Sequence, residues 1–135
     1  MSITTFFGGV AFACETLKPG PKGRVVEVTD GDTVILVSGI FVDLVELIAE
    51  DIGIDGAIGT TMEFKDEIAT GKITGIPCVG SQKIIYIQEY VQKNHPDIKL
   101  EDCYGYADSY SDRALLSAVG HGIATYPDKD MRQLA

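Results

Sequence analysis

The order of apolar segments predicts a three-layer α/β fold, with helices on both faces of a mostly parallel sheet. Three observations carry that prediction. Strand-like runs alternate with helical stripes along most of the chain, the pattern of a sheet whose connections cross over it. "TVILV" at Thr33–Val37 is a near-continuous apolar run, as expected of a strand covered on both faces. Of the 135 residues, 45% are apolar, enough for one buried core.

The chain divides into an atypical N-terminal segment and linker, 1–23, and a core over 24–135. Ile3–Ala13 is apolar with a Gly pair inside it and reads as a strand, and "KPGPKG" at Lys18–Gly23 reads as a turn or linker. "RVVEV" and "TVILVSG" are strand-like, joined by "TDGD", an Asp-Gly turn of the hairpin kind. Phe41, Leu44, Val45, Leu47 and Ile48 form a helical stripe over Phe41–Asp51, closed by Gly53. "GAIGTTMEF" is the next strand, with "GKITGI" (Gly71–Ile76) pairing beside it as a small hairpin. Ile84, Ile85, Ile87 and Val91 mark a helix from Ser81 to Asn94, ended by Pro96. "CYGYA" is a buried strand, Arg113–Val119 a helix, "GIATYP" a strand, and Asp130–Ala135 a last helical turn.

Twenty acids against 11 bases give a formal charge of −9, with no basic stripe to meet a nucleic-acid backbone. No apolar run is long enough to span a bilayer, and no basic region precedes the N-terminal apolar stretch, so neither a membrane partner nor a signal peptide is expected. Cys14, Cys78 and Cys103 are odd in number and scattered, which suits a reducing, cytoplasmic setting better than a disulfide framework. Cys78 and Cys103 read as small buried hydrophobes. His95 and His121 stand alone, without zinc-ligand spacing.

In a parallel α/β sheet the chemistry gathers beyond the carboxyl ends of the strands. Ser38 and Gly39 end "TVILVSG" before a helix. A hydroxyl, a glycine amide and helix-start amides make a phosphate cradle, although a serine there also serves as a plain helix cap. Asp108 and Asp112 follow "CYGYA", where two carboxylates hold a hard cation such as Mg²⁺ or, taken one by one, form a turn and cap a helix. Lys83 lies at a helix start, where the dipole disfavours a cation unless an anion faces it.

Ser38, Lys83, Asp108 and Asp112, in that order and setting, resemble the haloacid dehalogenase superfamily, in particular its phosphoserine-phosphatase-like branch. "VILVSG" looks like the second motif of that family, "GKITGIPCVGSQK" like the stretch carrying the third, and "YGYADSYSDRALLSAVGHGIATYPD" like the fourth. The resemblance covers about Thr33–Ala135 and implies a Rossmann-like sheet and Mg²⁺-dependent hydrolysis of a small phosphorylated metabolite. It implies that Ser38 and Gly39 bind phosphoryl oxygens and that Lys83 neutralises the phosphoryl group. Asp108 would be the principal Mg²⁺ ligand, with Asp112 supporting the metal and its waters. The chain departs from the pattern at Ala107, where Gly is usual, and at Gly122 and Tyr126, where the branch often has Pro and Asn.

Enzymes of that family open with a strand ending in Asp-x-Asp, the nucleophile and the general acid-base, followed by a helical cap. Asp30-Gly31-Asp32-Thr33-Val34 matches the spelling, but only Ile35–Val37 separate it from Ser38. A parallel return takes a crossover of about a dozen residues, so the match reads as accidental. The expectation is a core without its nucleophile motif and cap. "ITTFFGGVAFA" or "GRVVEV" would fill the slot between the strands ending at Ser38 and Asp108, or the chain pairs with another copy or a complementing chain. Two other readings stay open: a non-catalytic phosphate- or metal-binding relic or regulatory subunit, and a receiver-like α/β domain.

Overall fold

The computed structural model describes residues 10–14, as backbone, and residues 33–134. The expected "RVVEV" strand, the Asp-Gly turn with Asp30 and Asp32, and the Lys18–Gly23 linker lie outside the described residues.

Six strands form one sheet: β1 (Val10–Cys14), β2 (Thr33–Phe41), β3 (Gly56–Lys65), β4 (Ile68–Thr74), β5 (Cys103–Ala107) and β6 (His121–Ala124). They stand in the order β4-β3-β2-β1-β5-β6. β2 is parallel to β3, and β5 to β6. Because β1 runs antiparallel to both β2 and β5, those two share a direction. Four strands therefore point the same way, which is the mostly parallel α/β sheet expected.

The slot between the strands ending at Ser38 and Asp108 is filled by β1, made of the last four residues of "ITTFFGGVAFA" and Cys14. Its backbone pairs Val10 with Val37 and Cys14 with Thr33 on one side, and Ala11 with Tyr106 and Cys14 with Cys103 on the other. The central ladder is thereby satisfied, as a buried backbone requires. The strand runs against its neighbours.

The helices α1 (Val42–Ile52), α2 (Gln82–Asn94), α3 (Arg113–Ala118) and α4 (Lys129–Arg132) complete the fold. The period of two along each strand decides what each face meets. Ile35, Val37, Ile58, Cys103 and Ala107 join Ile87 and Val91 of α2 and Leu115 of α3 in one buried cluster. Gly59 points to the other face. A Cβ there would come within 2.8 Å of the Ile40 carbonyl and of Val42 Cα at the start of α1, so no larger residue fits without backbone movement. The helix α1 buries Val45 and Ala49 and ends at Gly53, whose φ of 74° is the left-handed cap predicted.

Several boundaries shift for local reasons. β2 runs on to Phe41 through a bulge: Val37 to Phe41 is four steps, while their partners Ile58 and Thr60 are two apart. β6 stops at Ala124, and Tyr126 then takes a positive φ of 47° ahead of Pro127. The last helix starts at Lys129, because the Asp128 side chain accepts from Met131 N–H and caps it. Cys103 is buried but disulfide-bonded, a correction to its reading as a plain small hydrophobe; Cys78 is free.

Candidate functional site

The bulge in β2 sets the first wall of the site. Ser38, Gly39 and Ile40 leave the regular ladder there, and with Val79, Gly80, Lys83 and Ser111 they line a cavity of about 320 Å³. Ser38 is buried inside the strand and does not cap α1; its Oγ accepts a long bond, 3.4 Å, from Ile40 N–H. The capping reading of Ser38 is therefore set aside.

The second wall is the loop into α2. Val79 and Gly80 precede Lys83, which stands in the first turn of the helix with its side chain 5% exposed. A cation there faces the positive end of the helix dipole and has lost its water. Asp112 compensates: Lys83 Nζ donates to its Oδ1 at 2.6 Å, and the carboxylate is itself 1% exposed. Asp112 occupies the residue before α3 but makes no capping bond there, so its carboxylate serves the ion pair and not the helix. This pair explains how both charges tolerate the interior.

Asp108 lies just past the end of β5. Its carbonyl accepts from Asp128 N–H at 2.8 Å, while its buried Oδ1 has no hydrogen-bond partner among the described residues. An unpaired buried carboxylate oxygen is costly unless something absent from the protein meets it. A divalent cation is a fitting counterpart. The described residues hold no group of three or more His, Cys, Asp or Glu able to enclose a metal. A cation at Asp108 and Asp112 would then take its remaining ligands from water and substrate, the habit of Mg²⁺.

Two supports escaped the sequence reading. Thr60, on β3, donates from Oγ1 to the Gly39 carbonyl at 2.8 Å and accepts from Cys78 N–H at 3.0 Å. Its only signal was a polar side chain at an inward position of an apolar strand. Asp128 accepts from Tyr110 N–H at 2.9 Å and from Met131 N–H at 2.7 Å, tying the Asp108–Asp112 turn to α4. These bonds hold its carboxyl below the usual range, the Met131 bond most. Cys78, beside the site, is pushed up to about 11: burial raises it and outweighs the opposing pull of Lys83.

Ser38, Gly39 and Lys83 thus share one cavity, and Asp112 joins them through Lys83. Asp108 flanks this group without lining the cavity, and Asp30 and Asp32 are outside the described residues. A sequence profile of the haloacid dehalogenase-like hydrolases matches residues 11–117. The chain belongs to that family.

Among its relatives is a phosphoserine phosphatase of Mycobacterium tuberculosis, 34% identical over 105 residues, which are 78% of this chain and 33% of the relative. A Bordetella pertussis protein of unknown function superposes with a TM-score of 0.68 at 30% identity, over 75% of this chain and 46% of its own. A substrate-bound phosphoserine phosphatase superposes with a TM-score of 0.59 at 26% identity, covering 75% of this chain and 47% of the other. The haloacid dehalogenase-type fold and the phosphatase-like hydrolase family are thereby shown. The chain spans between 30% and 48% of the length of the curated relatives it matches, 33% in the mycobacterial phosphatase. No helix among the described residues is long and apolar enough to cross a membrane.

Proposed function

We propose that this chain forms the Mg²⁺-assisted phosphate-binding core of a phosphomonoester hydrolase acting on a small phosphorylated metabolite. One observation carries the reading: Ser38, Gly39 and the buried Lys83 line a single cavity, with Asp108 Oδ1, unpartnered among the described residues, past the end of β5, across β1 from β2. A phosphate there would accept from the Ser38 hydroxyl, from backbone N–H groups at Gly39 and Gly80, and from Lys83. Asp108 and Asp112 would hold Mg²⁺, which offsets charge on the phosphoryl oxygens.

In a two-step route a carboxylate attacks phosphorus and displaces the substrate alcohol, and water then cleaves the acyl phosphate, releasing phosphate and restoring the carboxylate. β1 reads "VAFAC" and contains no acid. Its antiparallel direction sets Cys14 opposite Thr33, at the end of β2 far from Ser38. On this reading the described core binds phosphate and metal, and covalent turnover takes a carboxylate from outside it. The name of the mycobacterial relative favours phosphoserine as the ligand to try first.

The test is a titration of the full chain with inorganic phosphate, with and without Mg²⁺, alongside Asp108→Asn. Saturable phosphate binding that Mg²⁺ strengthens in the wild type, with that gain lost in D108N, is the expected result. An absence of phosphate binding at any Mg²⁺ concentration would refute the reading.

A further inference from the structure

We infer that Thr60 is a positioning residue that sets the spacing between the two walls of the phosphate cavity. The inference rests on the phosphate-site reading above and adds a residue outside the cavity lining to it. Thr60 is 4% exposed, on the face of β3 that meets the main core. Its hydroxyl is used in both directions. It donates to the carbonyl of Gly39, in the wall made by Ser38, Gly39 and Ile40, at 2.8 Å. It accepts from the N–H of Cys78, which leads into the wall made by Val79, Gly80 and Lys83, at 3.0 Å.

The two walls have few other means of registering on each other. Gly39 sits inside the bulge, between the paired positions Val37 and Phe41, where β2 has left its regular ladder with β3. The walls also touch there: a Cβ on Gly39 would lie 3.0 Å from Val79 Cγ1 and 3.4 Å from the Cys78 carbonyl. One rigid, β-branched side chain thus ties the Ser38 segment to the Lys83 segment. An anion can touch Ser38 and Lys83 together only if that distance is held, and displacements below an ångström weaken such bidentate contacts steeply. Valine has the same shape as threonine but would leave the Gly39 carbonyl and the Cys78 N–H without this partner.

The experiment compares wild type, Thr60→Val and Thr60→Ser in the full chain, titrated with inorganic phosphate in the presence of Mg²⁺ and followed by the Gly39 and Gly80 amide signals. T60V should bind phosphate about tenfold more weakly or worse, while T60S, which keeps the hydroxyl, stays within about threefold of wild type. Phosphate binding by T60V close to wild type overturns the inference, as does T60S binding as weakly as T60V. If the wild type itself shows no saturable response, the phosphate-site reading fails and this inference with it. Should T60V not fold, hydrogen exchange in T60S decides. A Cys78 amide as protected as in wild type supports the tie, and an unprotected one overturns it.

Discussion

Replacing Asp112 with Ala leaves Lys83 buried without its ion-pair partner, and the structure sets the scale of the loss. At the 2.6 Å separation of Lys83 Nζ and Asp112 Oδ1, with side chains 5% and 1% exposed, the pair is well shielded from solvent. An effective dielectric of about 20 gives an attraction of roughly 6 kcal/mol. Desolvation of both ions cancels much of that in the intact pair, but removal of one partner strands the other, at about 3–5 kcal/mol. That approaches the whole stability of an ordinary domain, on the order of 5–15 kcal/mol. The assay is urea unfolding of wild type, Asp112→Ala, and the double variant Lys83→Met with Asp112→Leu. D112A should lose about 3–5 kcal/mol of unfolding free energy, and the double variant should recover much of it because no uncompensated charge remains buried. A D112A unfolding free energy within about 1 kcal/mol of wild type would refute the burial argument, because a solvated pair contributes no more than that. So would a double variant as unstable as D112A, which would place the cost in shape and not in charge.

Other expectations follow from the same geometry. Asp128 has a carboxyl held low by its bonds from Met131 and Tyr110, so its contribution is present above the ordinary aspartate range and is lost as pH falls through the lowered value. Asp128→Asn should therefore flatten the acid limb of a stability-against-pH curve, and an unchanged limb would count against the tie. Cys78, raised to about 11 and fully buried, should resist alkylation at pH 8 until the chain is unfolded; rapid labelling of the native protein would contradict its placement. Gly59→Ala should cost about 1–3 kcal/mol in urea, since the nearest atoms to the new Cβ are backbone of Ile40 and Val42 and cannot swing aside.

Much of the fold was legible because periodicity reports burial. The stripe Phe41, Leu44, Val45, Leu47 and Ile48 marked α1 but not its buried face, since Phe41, Leu44 and Leu47 are exposed and Val45 and Ala49 are buried. Ile84, Ile85, Ile87 and Val91 marked α2, where Lys83, Ile87 and Val91 are buried and Ile85 is exposed. Polar residues following apolar strands singled out Ser38, Asp108 and Asp112; Ser38 lines the cavity, Asp112 reaches it through Lys83, and Asp108 does not line it. The link between Lys83 and Asp112 was not legible, because their 29-residue separation is bridged only once α2 and α3 pack. A serine before a helix gives the same local sequence whether it caps or lies in a bulge. The register of β2 on β3 decides, and register is a tertiary property. Thr60 was hidden for a related reason: threonine is an ordinary strand residue until the partners of its hydroxyl are known.

The direction of β1 was the least legible feature, and it bears most on function. A gap between β2 and β5 exposes two rows of backbone donors and acceptors, and either a parallel or an antiparallel strand satisfies them. Five residues, "VAFAC", with no charge and no proline, suffice for the ladder in either sense. The two senses differ in what they deliver. A parallel strand would bring the residues after it to the end of the sheet where Ser38 and Asp108 stand. In the antiparallel sense Val10 pairs with Val37 near that end, and Cys14 pairs with Thr33 and Cys103 at the other. Completing the sheet and supplying a nucleophile are therefore separate tasks. In this chain the first is met within the described residues, and on the reading proposed above the walls at Ser38 and Lys83 retain a phosphate site whichever way the second is resolved.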